Sequence, residues 1–415
     1  VTDAAAPRPA APRLAFLEGM RGLAAMQVLL LHYCAMVLPF AARVDDVRHL
    51  DAELWVAATP LFFLINGHVA VELFFLISGT VLAASFLRTE ASVPAQILKR
   101  FLRLLLPALA AIGFALLLLW WLPMDRAGLT ELVKSDWTAR YMNTPWQLAA
   151  IARDSLLDSV LLGYRDVSLF DRIMRREQWL SSIGGAAVPP LWTLHVEFWG
   201  SMLVLALATA RKRLGRRGFR GVLALVLVFT GSSQYSLFVV GFLLHLWWRD
   251  RPAPTATTSN LLAAPLIMAG VVLSTMPALP GMETLLWVMR KLSILRAQNA
   301  AVLQSQLGAI MIFVAVLGSA GARTWLAARP FAWLGRLSFS VYLLHFAVMA
   351  LVGSRVFLAL AGYGYLAAGL AAFGVGSAIT FALALGFERF VDRPAIALAG
   401  RLTRRRARGE SLGRR

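Results

Sequence analysis

Runs of roughly 17 to 25 apolar residues recur along the whole chain, and each is long enough as a helix to cross about 30 Å of hydrocarbon. With 59% hydrophobic and only 15% charged residues over 415 positions, the chain carries more apolar surface than a soluble core of its size uses. The expected fold is all-α: a polytopic membrane helix bundle of about ten transmembrane helices. The spans read near residues 14–38, 67–87, 101–121, 189–210, 219–233, 235–248, 261–279, 300–321, 331–354 and 363–387. The two central ones are short and flank the uncharged turn Gly231-Ser232-Ser233-Gln234, which predicts a tight antiparallel pair.

Lys and Arg collect in alternate loops. Arg88, Lys99, Arg100 and Arg103 follow the second span, Arg211 to Arg220 follow the fourth, and Arg404, Arg405, Arg406 and Arg408 lie in the tail. An even number of crossings puts these on one side and both termini in the cytoplasm. The opposite loops are balanced or acidic: Arg43 and Arg48 face Asp45, Asp46, Asp51 and Glu53, and segment 122–188 holds eight basic and eight acidic residues. That segment is a candidate outer cap, and its Trp137, Tyr141, Trp146, Tyr164 and Trp179 suit an interfacial helix or a sugar-facing surface as readily as a plain loop.

The net charge of +19 sits mainly beside spans, where topology and anionic lipid explain it, so it does not signal a nucleic-acid partner. Three parts are expected: a disordered cytoplasmic stretch 1–12, a membrane domain 13–394 and a basic cytoplasmic tail 395–415 that contacts the lipid bilayer. The first apolar run reads as a span and not as a cleavable leader. The single cysteine, Cys34, reads as a small buried hydrophobe, and no metal-ligand spacing is present.

Chemistry concentrates where ionisable groups enter the apolar runs. An ionised group at bilayer depth costs at least ~2.5 kcal/mol, so Arg21 and His32 in the first span need partners or a role. They stand eleven positions apart, a rise of about 16 Å on one helical face. His68, Glu72 and Ser78 mark the second span, and Arg100 and Arg103 share one face at the start of the third, where they can hold a phosphate or simply anchor the helix. Trp192, His195 and Glu197 open the fourth, and Tyr342 and His345 lie three residues apart in the ninth, as a hydrogen-bonded packing pair or as part of a site.

Several of these runs recur together in one known family. The chain resembles the acyltransferase-3 family of polytopic membrane O-acyltransferases through Leu17-Glu18-Gly19-Met20-Arg21-Gly22-Leu23-Ala24-Ala25 followed by His32, Phe74-Phe75-Leu76-Ile77-Ser78-Gly79, Arg100-Phe101-Leu102-Arg103, Leu191-Trp192-Thr193-Leu194-His195-Val196-Glu197 and Ser338-Phe339-Ser340-Val341-Tyr342-Leu343-Leu344-His345. The resemblance runs from Arg13 to about Pro394. It implies transfer of an acyl group, most often acetyl from cytoplasmic acetyl-CoA, to a hydroxyl of a cell-envelope carbohydrate or lipid-linked glycan, in a bacterial inner membrane, with no tightly bound cofactor.

In that chemistry a neutral His32 takes the proton of the attacking hydroxyl, oriented or charge-compensated by Glu18 or Glu72. Arg21 steadies an oxyanion or a CoA phosphate, Arg100 and Arg103 bind the CoA, and Ser78, Trp192, Glu197, Tyr342 and His345 are substrate-side or structural polar residues. The competing reading is a transporter or flippase of an envelope precursor. It is disfavoured because no paired halves are visible in the sequence.

Overall fold

The computed structural model describes residues 14–141, 146–165, 167–170, 180–249, 256–295 and 299–412, with the side chains of 256–259 and 403–412 left aside. The N-terminal stretch before residue 14, Trp179 and linker residues 252–255 lie outside the described residues, as do the side chains of the basic tail. Every described element is helical. The main helices are α1 (Ala15–Val37), α2 (Gly67–Arg88), α3 (Val93–Trp121), α4 (Trp192–Arg213), α5 (Arg216–Thr230), α6 (Tyr235–Arg249), α7 (Ala256–Thr275), α8 (Ala300–Gly318), α9 (Arg329–Val348), α10 (Tyr365–Phe387) and α11 (Arg393–Leu412).

Local chemistry sets their starts. The Asn66 side chain accepts from Val69 N to cap α2, Asn299 does the same for α8 through Val302 N, and prolines occupy the first turns of α3 and α9. Among the described residues, seven helical stretches are long and apolar enough to cross a membrane, and Asn260–Thr275 is a shorter apolar helix.

Helices α5 and α6 have 15 residues each, which gives each a length of about 22 Å. Their turn is plugged by protein: Ile294 N donates to Val228 O at 3.2 Å and Leu295 N to Phe229 O at 2.9 Å, and Thr230, Ser232 and Ser233 are buried beneath that segment. Backbone groups freed by the short pair are thereby satisfied without water.

The bundle is assembled through close helix contacts over glycine. A Cβ on Gly335 of α9 would lie 2.0 Å from Glu18 O of α1, and one on Gly22 would lie 2.6 Å from Gly335 N. In lipid, where apolar surfaces gain little from merely meeting, such close approach supplies the packing energy. Helices α7 and α8 meet the same way, since a Cβ on Gly308 would lie 2.6 Å from Gly270 O.

The described residues of segment 122–188 fold onto one end of the bundle as a cap. It contains helices Arg126–Val133, Asp136–Arg140 and Leu148–Arg153, the last running into a wider turn of helix at Asp154–Leu162. Two buried carboxylates organise it: Asp154 accepts from Tyr164 OH at 2.6 Å and from Ala187 N at 3.2 Å, and Asp158 accepts from Ser181 Oγ at 2.6 Å. Burial pushes the Asp154 carboxyl above its ordinary range, against the pull of those two donors. The loop after α1 is stitched to the cap, with Ser135 Oγ and Asp136 N both donating to Asp45 at 3.0 Å and His49 Nε2 donating to Val133 O at 2.8 Å.

Replacing Gly335 by Ala forces α1 and α9 apart and is expected to destabilise the protein by about 1–3 kcal/mol. Gly374→Ala, on α10 with open space around it, is the matched control and should leave stability within about 0.5 kcal/mol. Thermal unfolding of the two variants in the same detergent checks the difference.

Candidate functional site

At the end of the bundle opposite the cap, helices α1 to α4 and α11 surround a vestibule of about 830 Å³. Glu18, Arg21, Ser78, Lys99, Arg100, Arg103 and Glu197 supply its polar lining. It leads into an inner cavity of about 100 Å³ that shares Arg21, Ser78, Arg100, Arg103 and Glu197 and continues past Thr193, Ser338 and Phe339 to Tyr342. Three guanidinium groups therefore ring the neck between the two spaces.

Their partners differ. Glu197 Oε1 accepts from both Arg100 Nη2 and, at 2.8 Å, Ser78 Oγ, an ion pair with side chains only 11% and 16% exposed. Arg100 Nε remains buried without a partner. Arg21 lies 3.3 Å from Glu18, one turn away on the same helix. Arg103 lines both spaces and faces Asp392 only through longer-range attraction, and no hydrogen bond reaches its guanidinium among the described residues. A positive, partly unsatisfied ring of this kind fits a phosphate or another multiply charged anion.

Beyond Tyr342 the next turn of α9 carries His345, which meets α1. The rings of His32 and His345 are hydrogen-bonded, with His32 Nδ1 2.8 Å from His345 Nε2. His345 is fully enclosed, whereas His32 is half-buried. The cap closes over this pair: Trp137 stacks on His32 with ring centres 6.3 Å apart, Phe346 meets His32 edge-on at 5.0 Å, and Tyr141 packs on both Trp137 and Phe346. A small pocket of about 10 Å³ sits among Trp137, Tyr141 and Phe346. One face of α9 thus runs from the inner cavity at Ser338 and Tyr342, past the histidine pair, to the cap pocket at Phe346.

The structure sorts the residues singled out in the sequence. It gathers Arg21, Ser78, Arg100, Arg103, Glu197 and Tyr342 around one cavity and sets His32 and His345 against each other. Neither expected carboxylate orients His32 by a hydrogen bond. Glu18 is held by Arg21 at the vestibule, and Glu72 is buried on α2 with Ser305 Oγ donating to it at 2.8 Å. A carboxylate takes the nearest donor, and for Glu18 that donor lies one turn along its own helix.

Tyr342 ties α9 to the start of α4 through Thr193 Oγ1 and Pro190 O, each at 2.8 Å, and Trp192 packs into the core beside α2. His195 accepts from Leu169 N at 2.9 Å and supports the cap. Trp137 at the site was readable only as one aromatic of the cap, because its contact with His32 depends on the fold.

Removing one member of the buried ion pair leaves the other uncompensated, so Glu197→Ala is expected to cost about 3–5 kcal/mol in thermal unfolding. The double replacement Arg100→Met with Glu197→Leu should recover most of that loss.

The family model described as Acyltransferase domain matches residues 14–389, nearly the whole chain. No curated protein and no solved structure matches.

Proposed function

We propose that this chain, which belongs to the acyltransferase 3 family and is an integral multi-pass membrane acyltransferase, moves an acyl group, acetyl in the first instance, from cytoplasmic acyl-CoA to a hydroxyl of a cell-envelope carbohydrate or lipid-linked glycan. The observation that carries the reading is the arrangement along α9, with a ring of arginines at one end, an inner cavity that reaches Tyr342, and one turn beyond it a histidine pair roofed by cap aromatics.

The basic end faces the cytoplasm in this reading, because the Lys and Arg of the loops after α2 and α4 collect there. Arg103, with its fork unengaged, binds a phosphate of CoA, and Arg21 closes on the same anion. Arg100 is held by Glu197, so it contributes field at the neck more than direct contact. The rise of about 16 Å between Arg21 and His32 is within reach of an extended pantetheine arm, and the inner cavity covers the part of it from Arg21 to Tyr342.

The acceptor hydroxyl meets the thioester beside His32. Its oxygen attacks the thioester carbonyl, His32 takes the hydroxyl proton, the C–O bond forms, and the C–S bond breaks. The CoA thiolate then recovers the proton, so the base is regenerated. Trp137 and Tyr141 form the acceptor-side wall, where aromatic faces suit the apolar face of a sugar. A transporter needs a continuous path, whereas here the inner cavity of about 100 Å³ and the cap pocket of about 10 Å³ have no lining residue in common.

Envelope glycans compared by mass spectrometry before and after mild alkaline cleavage should carry an alkali-labile acyl mass in cells with the chain. That mass should be lost without the chain or with His32→Ala. Full esterification with His32→Ala overturns the base assignment. In a separate assay CoA should raise the melting temperature of the purified protein, and Arg103→Ala should shrink that rise without abolishing the fold.

A further inference from the structure

The histidine pair contains more information than its distance, because one of its members has its protonation pattern dictated by backbone. His345 Nδ1 lies 2.8 Å from Tyr342 O and 3.1 Å from Val341 O. Carbonyl oxygens only accept, so that nitrogen carries the hydrogen and Nε2 of a neutral His345 is a bare acceptor. The nitrogen facing it, His32 Nδ1 at 2.8 Å, must then be the donor.

A neutral imidazole has one hydrogen, so His32 Nε2 is left with its lone pair free. The order of the chain is therefore fixed: carbonyl of Tyr342, His345 N–H, His345 Nε2, His32 N–H, and a free base at His32 Nε2.

We infer that His345 is the positioning residue of this site, locking His32 in the tautomer whose Nε2 is the base and stabilising the imidazolium formed when that nitrogen takes a proton. The inference rests on the acyl-transfer reading for its kinetic consequence but not for the tautomer itself. A carboxylate in this position would favour a charged His32 at rest. A neutral imidazole orients without doing so and accepts more strongly once the positive charge has formed, which places its help after the substrate binds.

The fold supplies what such a device needs. His345 is fully enclosed between Val341, Tyr342 and Phe346 on α9, and its ring is fixed by two backbone carbonyls on its own helix. Phe346 and Trp137 hold the His32 ring on its other sides. Among the described residues the titratable groups around the pair are His68 from α2, Tyr141 from the cap and Tyr342 one turn earlier on α9, and no side-chain hydrogen bond joins any of them to either ring.

The test combines kinetics with a tautomer measurement on the full-length protein in lipid. His345→Phe removes the acceptor while keeping an aromatic ring of similar size. It should lower kcat on the order of 100-fold, with the KM for acyl-CoA nearly unchanged. His345→Gln offers an amide oxygen to His32 Nδ1 and should return kcat to within about tenfold of the native value. Solid-state ¹⁵N spectra of histidine-labelled protein, with His32 assigned from the His32→Ala spectrum, should show His32 hydrogenated at Nδ1 in the native protein and a mixture of tautomers in His345→Phe.

Equal loss in the Phe and Gln variants, or a resting His32 hydrogenated at Nε2, overturns the assignment. The spectrum requires no turnover. A failed acyl-transfer reading would therefore show as a correct tautomer with no ester formed by the native protein, a result distinct from failure of the tautomer lock.

Discussion

The backbone contact between α1 and α9 is the constraint on which the site depends. Gly22 and Gly335 let the two helices touch at the vestibule end, and ten residues further along each helix stand His32 and His345. Both helices climb about 1.5 Å per residue, so a contact made at the glycines delivers the two imidazoles to the same height, where they meet at 2.8 Å. A side chain at either glycine would change the spacing of the whole pair of helices. The histidines are thus held in register by residues with no chemistry of their own.

Charge is arranged along the same axis. Cations gather at the vestibule, where Glu18, Glu197 and Asp392 compensate part of the charge of Arg21, Arg100 and Arg103. The surplus faces the neck, where in the proposed reaction the phosphates of the acyl donor complete the balance. Toward the cap the described surroundings of the histidine pair are aromatic, with Trp137 and Phe346 against His32, which in the proposed reaction suits a proton transfer whose groups start and finish uncharged. In the proposed reaction the two ends therefore do different work: one binds by charge and the other reacts in a low-dielectric enclosure.

Much of this was legible in the sequence for a specific reason. Apolar runs report helices directly, so α1, α2 and α4 begin and end within a few residues of expectation, and the short pair α5 and α6 falls on either side of Gly231-Ser232-Ser233-Gln234 as expected. Arg21, Arg100 and Arg103 stood out because ionised groups near apolar runs are expensive, and they do share a cavity. The partner of His32 was not legible as such, since His345 lies 313 positions away and only the α1 and α9 packing brings it close. The two nearby carboxylates were the natural guesses from spacing, yet each was already committed to a closer donor. The cap was read as an aromatic segment. Its folding on Asp154 and Asp158, and hence the placement of Trp137 over His32, depends on contacts that span the segment and leave no local periodicity.

In the proposed reaction donor and acceptor approach a single histidine pair from opposite faces of the membrane, and transfer across sealed vesicles distinguishes this from access on one side. The protein is reconstituted in sealed vesicles of known orientation, with radiolabelled acetyl-CoA on one face and a glycan acceptor from the cell envelope on the other. Labelled ester should accumulate only when the donor is on the face bearing Lys212 and Arg213, at the end of the bundle that holds the arginine ring. Equal transfer with the donor on the cap face, or transfer that needs both substrates on the same face, would contradict the account.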